Sequence, residues 1–216
     1  MRHEHDIRID RNKLHPWLDY KLGLLLKECS KANIYLIITE GFRSVADQDK
    51  LYAKGRTAGG RVVTNAKGSS YSSQHQWGIA FDIAINDSKK VYDQATIKKV
   101  AKIAKSKKVG LSWGGDWNSF QDTPHFYLGK WGSTTQKLKS QYGTFDRFKK
   151  TWTKKVSGTK HGLNLWNKTH TRVILKKAKN GTKVDVMYTK TYPFGKFSKV
   201  KCYSKVGLMK SKYLRG

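Results

Sequence analysis

Ser73-Gln74-His75-Gln76-Trp77-Gly78-Ile79-Ala80-Phe81-Asp82-Ile83-Ala84-Ile85 sets one carboxylate inside an otherwise apolar run. The alternation predicts a strand over 79–85, because successive side chains on a strand point to opposite faces. Ala80, Asp82 and Ala84 then share one face, and Ile79, Phe81, Ile83 and Ile85 share the other. The second face belongs in a core. The carboxylate sits on the face kept clear by two alanines, where burying it alone would cost several kcal/mol. It needs a partner, and His75 stands just before the same strand. Asp122-Thr123-Pro124-His125-Phe126-Tyr127 supplies a second half, with His125 and Tyr127 on one strand face and Asp122 one tight turn upstream.

Two histidines and one carboxylate, with a fourth position left to water, are a known ligand set for catalytic zinc. Zinc lowers the pKa of its water to ~7 and polarises a carbonyl, so hydroxide can attack an amide at neutral pH. A carboxylate off the metal can take the water's proton and return it to the leaving amine. On this reading His75, Asp82 and His125 bind Zn2+ and Asp122 is the base. Arg43, directly ahead of Ser44, is a candidate to stabilise the oxyanion. Taken singly, each histidine reads as a satisfied core residue and Arg43 as a surface ion-pair partner; the four-residue His/Asp set is what points to a metal site. Asp116 reads as a turn residue, His3 and His5 as residues of a disordered terminus, and His161 and His170 as linker or surface.

Around this set the chain predicts an α+β unit. Leu18, Leu22, Leu25, Cys29 and Ala32 follow one helical face after Pro16. Residues 34–39 read as a buried strand. Ser44-Val45-Ala46-Asp47 is a capping pattern for a helix that stops at Gly55. Residues 56–73, rich in Gly, Ser, Thr and Asn, form a long loop of the kind that carries function in compact domains. A later helix buries Ile97, Val100, Ala101 and Ala104 and turns its lysines outward.

The chain has 216 residues, 44 Lys and Arg against 15 Asp and Glu, and a formal net charge of +29. Such an excess implies a polyanionic environment. With 38% hydrophobic residues and 26 aromatic ones the chain can build a core, which excludes wholesale disorder. No apolar run approaches a membrane span of ~20 residues, and the N-terminus shows no secretory signal. Cys29 and Cys202 are too few for a disulfide framework. Residues 1–150 carry 27 basic and 14 acidic side chains, whereas 151–216 carry 17 basic ones and a single acid, Asp185. The shift divides the chain into a domain over 1–150, a linker over 151–162 and a small all-β unit over 163–216. In that last unit Val184, Val186 and Tyr188 are expected on one face of a strand and Lys183, Asp185 and Met187 on the other.

Ser73-x-His75-x-x-Gly78-x-Ala80-x-Asp82 followed by Asp122-x-Pro124-His125 resembles the D-alanyl-D-alanine carboxypeptidase family of zinc peptidases. Gly41-Phe42-Arg43-Ser44, Gln48, Leu51-Tyr52, Gly55-Arg56-Thr57, Val63-Thr64-Asn65-Ala66 and Trp113-Gly114-Gly115-Asp116-Trp117 are similar to its L-alanyl-D-glutamate endopeptidase branch, found in phage endolysins and bacillus wall enzymes. The resemblance covers roughly residues 12–130. It implies helices around a small, mostly antiparallel sheet, zinc on His75, Asp82 and His125, an acid/base at Asp122, and an arginine facing the substrate carbonyl at Arg43. Ser73, Gln48 and Trp113 are implied to contact substrate or support the ligands. Gln76-Trp77 and Ala58-Gly59-Gly60 depart from the common pattern without touching a proposed ligand. Gly162-Leu163-Asn164-Leu165, Asn180-Gly181-Thr182-Lys183-Val184 and Ser211-Lys212-Tyr213-Leu214 are similar to bacterial SH3-type wall-binding barrels.

The expected function is therefore a zinc endopeptidase of peptidoglycan stem peptides, cutting between L-Ala and D-Glu. Its basic second unit would bind the wall and its anionic polymers. A D-Ala-D-Ala carboxypeptidase is the alternative within the family. A basic nucleic-acid-binding protein is the alternative outside it, and it leaves the His/Asp set unexplained. The resemblance further implies a monomer made in the host bacterial cytoplasm and released to the wall through a holin-type lesion.

Overall fold

The strand that carries Asp82 is the middle of a five-stranded sheet in a computed structural model describing residues 4–216. In chain order the elements are β1 (Asp6–Ile7), α1 (Pro16–Lys31), β2 (Leu36–Glu40), α2 (Val45–Ala53), β3 (Ala80–Ile85), α3 (Gln94–Lys105), β4 (Ser112–Trp113), β5 (His125–Tyr127), α4 (Gln136–Tyr142) and α5 (Phe145–Lys150). Then follow β6 (Thr153–Val156), β7 (Leu163–Trp166), β8 (Val173–Ala178), β9 (Lys183–Tyr192), β10 (Gly195–Cys202), β11 (Lys205–Lys210) and β12 (Leu214–Arg215). The chain divides into two units, one comprising the chain up to Leu14 and Leu18–Phe145, the other His15–Trp17 and Asp146–Gly216. Among the described residues no helix is long and apolar enough to cross a membrane.

The first unit is mixed α/β, with sheet order β1-β2-β3-β5-β4. Only β1–β2 is parallel; the other pairs are antiparallel. Ile79, Phe81 and Ile83 are wholly buried, as are Leu18, Leu22, Leu25 and Cys29 on α1 and Ile97, Val100 and Ala104 on α3. Each such large side chain contributes ~1.5–3 kcal/mol on burial, so this apolar side of β3 anchors the strand. Its other side is then free to carry chemistry. Ser44 caps α2, its hydroxyl accepting from the Asp47 amide at 3.1 Å. Residues 54–73 form a largely irregular loop, tied to α2 where Asp49 accepts from the Gly68 amide at 2.7 Å and Gln48 donates to the Ala66 carbonyl at 2.8 Å.

His5 departs from expectation, while His3 lies outside the described residues. His5 is not part of a loose terminus: its Nδ1 accepts from the Leu36 amide at 3.0 Å, and Nε2 lies 2.9 Å from both the Leu26 carbonyl and the Ser30 hydroxyl. It clamps the start of the chain to α1 and β2.

The second unit forms a seven-stranded sheet, order β12-β6-β9-β10-β11-β7-β8. Its core includes Val156, Leu165, Val184, Val200, Met209 and Leu214. One expectation is corrected here. Residues 151–162 are not simply a linker, because Thr153–Val156 is strand β6, paired with β9 and β12. Val156 fills the core, so the polar, glycine-containing run still contributes a buried residue. The pairing of β9 with β10 is irregular at Met187. A register shift in the β9–β10 pairing, where Lys199 opposes Tyr188 and Val200 opposes Val186, leaves Met187 as an extra residue. Such a bulge bends the strand locally; Val184 lies in the core with Val186 packed against it, and Met187 is buried as well.

One turn positions much of the site. The Asp122 amide donates to the Gly114 carbonyl at 3.2 Å, the His125 amide donates to the Asp122 carbonyl at 3.2 Å, and the Trp113 indole donates to the Thr123 carbonyl at 2.7 Å. A Cβ on Gly114 would lie 2.5 Å from the Asp122 carbonyl oxygen and 3.0 Å from Cβ of His125.

Two predictions follow from these contacts. Gly114→Ala must push the 122–125 turn aside and is expected to cost about 1–3 kcal/mol in denaturant unfolding; undiminished stability would show that the turn yields freely. For His5, burial lowers the imidazole pKa, outweighing the hydrogen bond to the Leu26 carbonyl, which favours protonation. The unfolded chain therefore takes up a proton, below about pH 6.5, that the folded chain resists. Stability should fall as pH drops through this range, and His5→Gln should flatten the dependence when thermal midpoints are compared between pH 7.5 and 5.5.

Candidate active site

Strand register builds the centre of the site. Asp82 on β3 is the direct cross-strand partner of His125 on β5, and Asp82 Oδ1 lies 2.9 Å from His125 Nδ1. His75 comes from a short 3-10 helix, Gln74–Trp77, that ends at Gly78 with φ 61°. That left-handed conformation lets the chain reverse into β3, and it suits glycine because no Cβ is present. The reversal brings His75 Nε2 to 3.3 Å from the same Asp82 oxygen. The two imidazole rings stand 5.0 Å apart at 74° to one another.

One ligand atom from each of His75, Asp82 and His125 falls within 4.8 Å of the others. The histidine side chains are 6% and 5% exposed, whereas Asp82 keeps 23% exposure. The cluster is thus enclosed by its imidazoles and open on its carboxylate side. His75 Nδ1 donates to the Gly41 carbonyl at 2.7 Å, which in the neutral ring leaves the Nε2 lone pair directed at Asp82. Electron-pair donors converging in a poorly hydrated pocket repel unless a cation lies among them. Two imidazole nitrogens and a carboxylate oxygen, each within reach of one point, fit a metal ion by number and type.

The electrostatics follow from the same contacts. Burial disfavours the Asp82 carboxylate, yet His75 and His125 outweigh it and hold this carboxyl well below the usual range. For His75, burial opposes the imidazolium, but the charge and hydrogen bond of Asp82 prevail and raise its pKa. Asp122 moves the other way: burial and then the negative charge of Asp82 raise its pKa, against His125, His75 and Arg43. The site therefore holds two carboxylates with opposite tendencies. The partners of Asp82 favour its ionised form, and the surroundings of Asp122 favour its protonated form.

Arg43 enters from the β2–α2 connection. Its amide donates to the His75 carbonyl at 3.1 Å, tying the β2–α2 connection to the short helix that carries His75. The guanidinium donates to Gln48 Oε1 at 2.9 Å and pairs with Glu40 Oε2 at 3.2 Å, while the buried Nε finds no partner among the described residues. Gln48, wholly buried, thus supports Arg43 on one side and the 64–66 loop on the other. Trp113 acts through backbone, holding Thr123 inside the turn that bears Asp122 and His125. Ser73 precedes the His75 helix and makes no side-chain cap bond.

Two neighbours of the cluster escape the sequence reading. Gln74 Oε1 lies 2.7 Å from His125 Nε2, and its only sequence signal is its place between Ser73 and His75. The Trp117 ring lies 5.2 Å from that of His125, and its indole donates to the Tyr127 hydroxyl at 3.1 Å.

Residues 66–128 match the family model described as D-alanyl-D-alanine carboxypeptidase. The peptidoglycan L-alanyl-D-glutamate endopeptidase CwlK of Bacillus subtilis (strain 168) is 37% identical over 126 residues, which span 53% of this chain and 73% of that protein. Among solved structures, the L-Ala D-Glu endopeptidase ChiX of Serratia marcescens aligns with a TM-score of 0.41 at 22% identity, covering 55% of this chain and 82% of its own. The vancomycin-resistance D,D-dipeptidase VanXYg aligns with a TM-score of 0.36 at 13% identity, covering 93% and 87%. The matched family span contains His75, Asp82, Asp122 and His125, and with the extended identity to CwlK it decides the assignment: the chain belongs to the D-alanyl-D-alanine carboxypeptidase-like family of peptidases.

Proposed function

We propose that the chain is a zinc endopeptidase that hydrolyses the L-Ala–D-Glu bond in the peptide stems of bacterial peptidoglycan. The observation that carries this reading is the convergence of His75 Nε2, Asp82 Oδ1 and His125 Nδ1, with Asp122 and Arg43 electrostatically coupled to them. The name of CwlK supports the bond, and the family description supports amide hydrolysis in cell-wall peptides.

His75, Asp82 and His125 would hold the zinc. When bound, zinc supplies Lewis-acid polarisation and makes water acidic enough to attack at neutral pH. Asp122 takes the proton of the attacking water and returns it to the departing amine, a role served by its raised pKa. Arg43 offers its unpartnered Nε–H to the substrate carbonyl as that oxygen gains charge. Gln48 and Glu40 hold the guanidinium still, so little reorganisation accompanies the reaction.

The second unit we read as an SH3-like module that holds the enzyme on the wall. Residues 151–216, with 17 basic side chains against one acid, suit anionic wall polymers. The same reading makes the chain a lysin of phage type, made in the host cytoplasm and acting on the wall after a holin-type release.

Purified protein should release soluble fragments from Gram-positive peptidoglycan, lose that activity with a zinc chelator and regain it with added zinc. Asp122→Ala should lower the rate ~10²–10⁴-fold, and Arg43→Ala should lower kcat ~10²–10³-fold. Mass spectrometry of the fragments decides the bond: new D-Glu amino termini support the endopeptidase, and loss of terminal D-Ala alone supports a carboxypeptidase. Undiminished activity after rigorous zinc removal would overturn the metal reading. Reversing Lys176, Lys177 and Lys179 to Glu should weaken sedimentation with walls while leaving hydrolysis of a soluble stem peptide intact.

A further inference from the structure

We propose that Gln74 is a positioning residue that keeps the proton of His125 on Nε2 and so leaves Nδ1 bare for the metal. This rests on the zinc reading above and extends it to a side chain outside the ligand set.

The carbonyls of Gly132 and Ser133 lie 3.5 and 3.2 Å from Gln74 Nε2. A carbonyl can only accept, so the amide must turn its NH2 towards them. The opposite end of the amide, Oε1, is thereby committed to His125 Nε2 at 2.7 Å. An amide oxygen can only accept, so Nε2 must carry the hydrogen. In the neutral ring Nδ1 is then an unprotonated electron pair, and it faces Asp82 Oδ1 at 2.9 Å.

Gln74 opposes a real competitor. At 2.9 Å the Asp82 carboxylate would draw a proton onto Nδ1, and a proton there blocks the ligand atom. Gln74 is 5% exposed and His125 4% exposed, so water is poorly placed to replace the amide. His75 solves the same problem through backbone, its Nδ1 donating to the Gly41 carbonyl. The two imidazoles therefore present opposite ring nitrogens to one carboxylate, each fixed by a carbonyl-type oxygen on its far side. Partners of this kind typically govern ~10–100-fold of metal affinity.

The test uses the full chain and zinc alone, titrated against a chromophoric chelator. Gln74→Met keeps the length and removes both polar ends; it should weaken zinc binding ~10–100-fold. Gln74→Glu keeps an acceptor at His125 but loses the donor to Gly132 and Ser133, and it should stay within a few-fold of the wild type. A merely structural role would weaken both variants alike, because both forfeit the same two carbonyl bonds. Ring 15N spectra of the metal-free wild type, taken where imidazole is neutral, should place the His125 proton on Nε2. A proton on Nδ1 there, or equal zinc affinity in Gln74→Met, overturns the proposal even if one variant folds poorly. A wild-type chain that takes up no zinc would instead overturn the metal reading beneath it.

Discussion

A carboxylate held between two imidazoles is the constraint around which the first unit is arranged. Asp82 sits on a strand whose opposite face is fully apolar and buried, so the strand cannot rotate to give the charge back to water. A carboxylate so placed is tolerable only with compensating partners. His125 arrives by direct register across β3–β5, and His75 by the glycine-permitted reversal at Gly78. Each supplier is fixed again from behind, His75 by Gly41 and His125 by Gln74. The consequence is a cluster whose geometry is set before any ligand enters, which is what metal catalysis requires of its protein.

The chemistry was more legible in the sequence than the fold that delivers it. Alternation around Asp82 assigned its face, and the apolar periodicity of α1 and α3 assigned their buried stripes, because both depend only on local repeat. Pairing is different. Nothing local says that Asp82 opposes His125, since register depends on the whole sheet and on the β2 irregularity between Ile38 and Glu40. The same limit explains Met187, whose bulge is visible only when β9 lies beside β10, and β6, whose polar residues form a strand because β9 and β12 flank them. His5 departs from its local pattern for a related reason: a clamp made with residues 21 to 31 positions away leaves no trace in its neighbours.

The charge divides along similar lines. The 151–216 stretch concentrates 17 basic side chains with one acid, while the site residues all lie before it. Exposed charges act over a screening length of about 8 Å at physiological salt. Their influence on a buried cluster bonded at 2.9–3.3 Å is minor beside that of the partners themselves. Net charge therefore speaks to where such a protein accumulates. The bond it cuts is a matter for a handful of buried atoms.

Arg43 shows how those atoms are prepared for a substrate. Its guanidinium has a neutral acceptor in Gln48 and a half-exposed carboxylate in Glu40, and its backbone is tied to His75. Such support would normally satisfy an arginine, yet Nε remains buried and unpaired. Leaving a buried donor unmade costs ~1–3 kcal/mol, a cost that a folded chain carries more readily where a ligand removes it. A group that draws most of its bonding from fixed neighbours and keeps one donor in reserve can strengthen its hold as charge develops on an incoming oxygen. That is differential binding in the sense that accelerates a reaction. On the reading proposed above, the unsatisfied nitrogen would serve the reaction, and only the three-dimensional arrangement of Glu40, Gln48 and His75 brings it to notice.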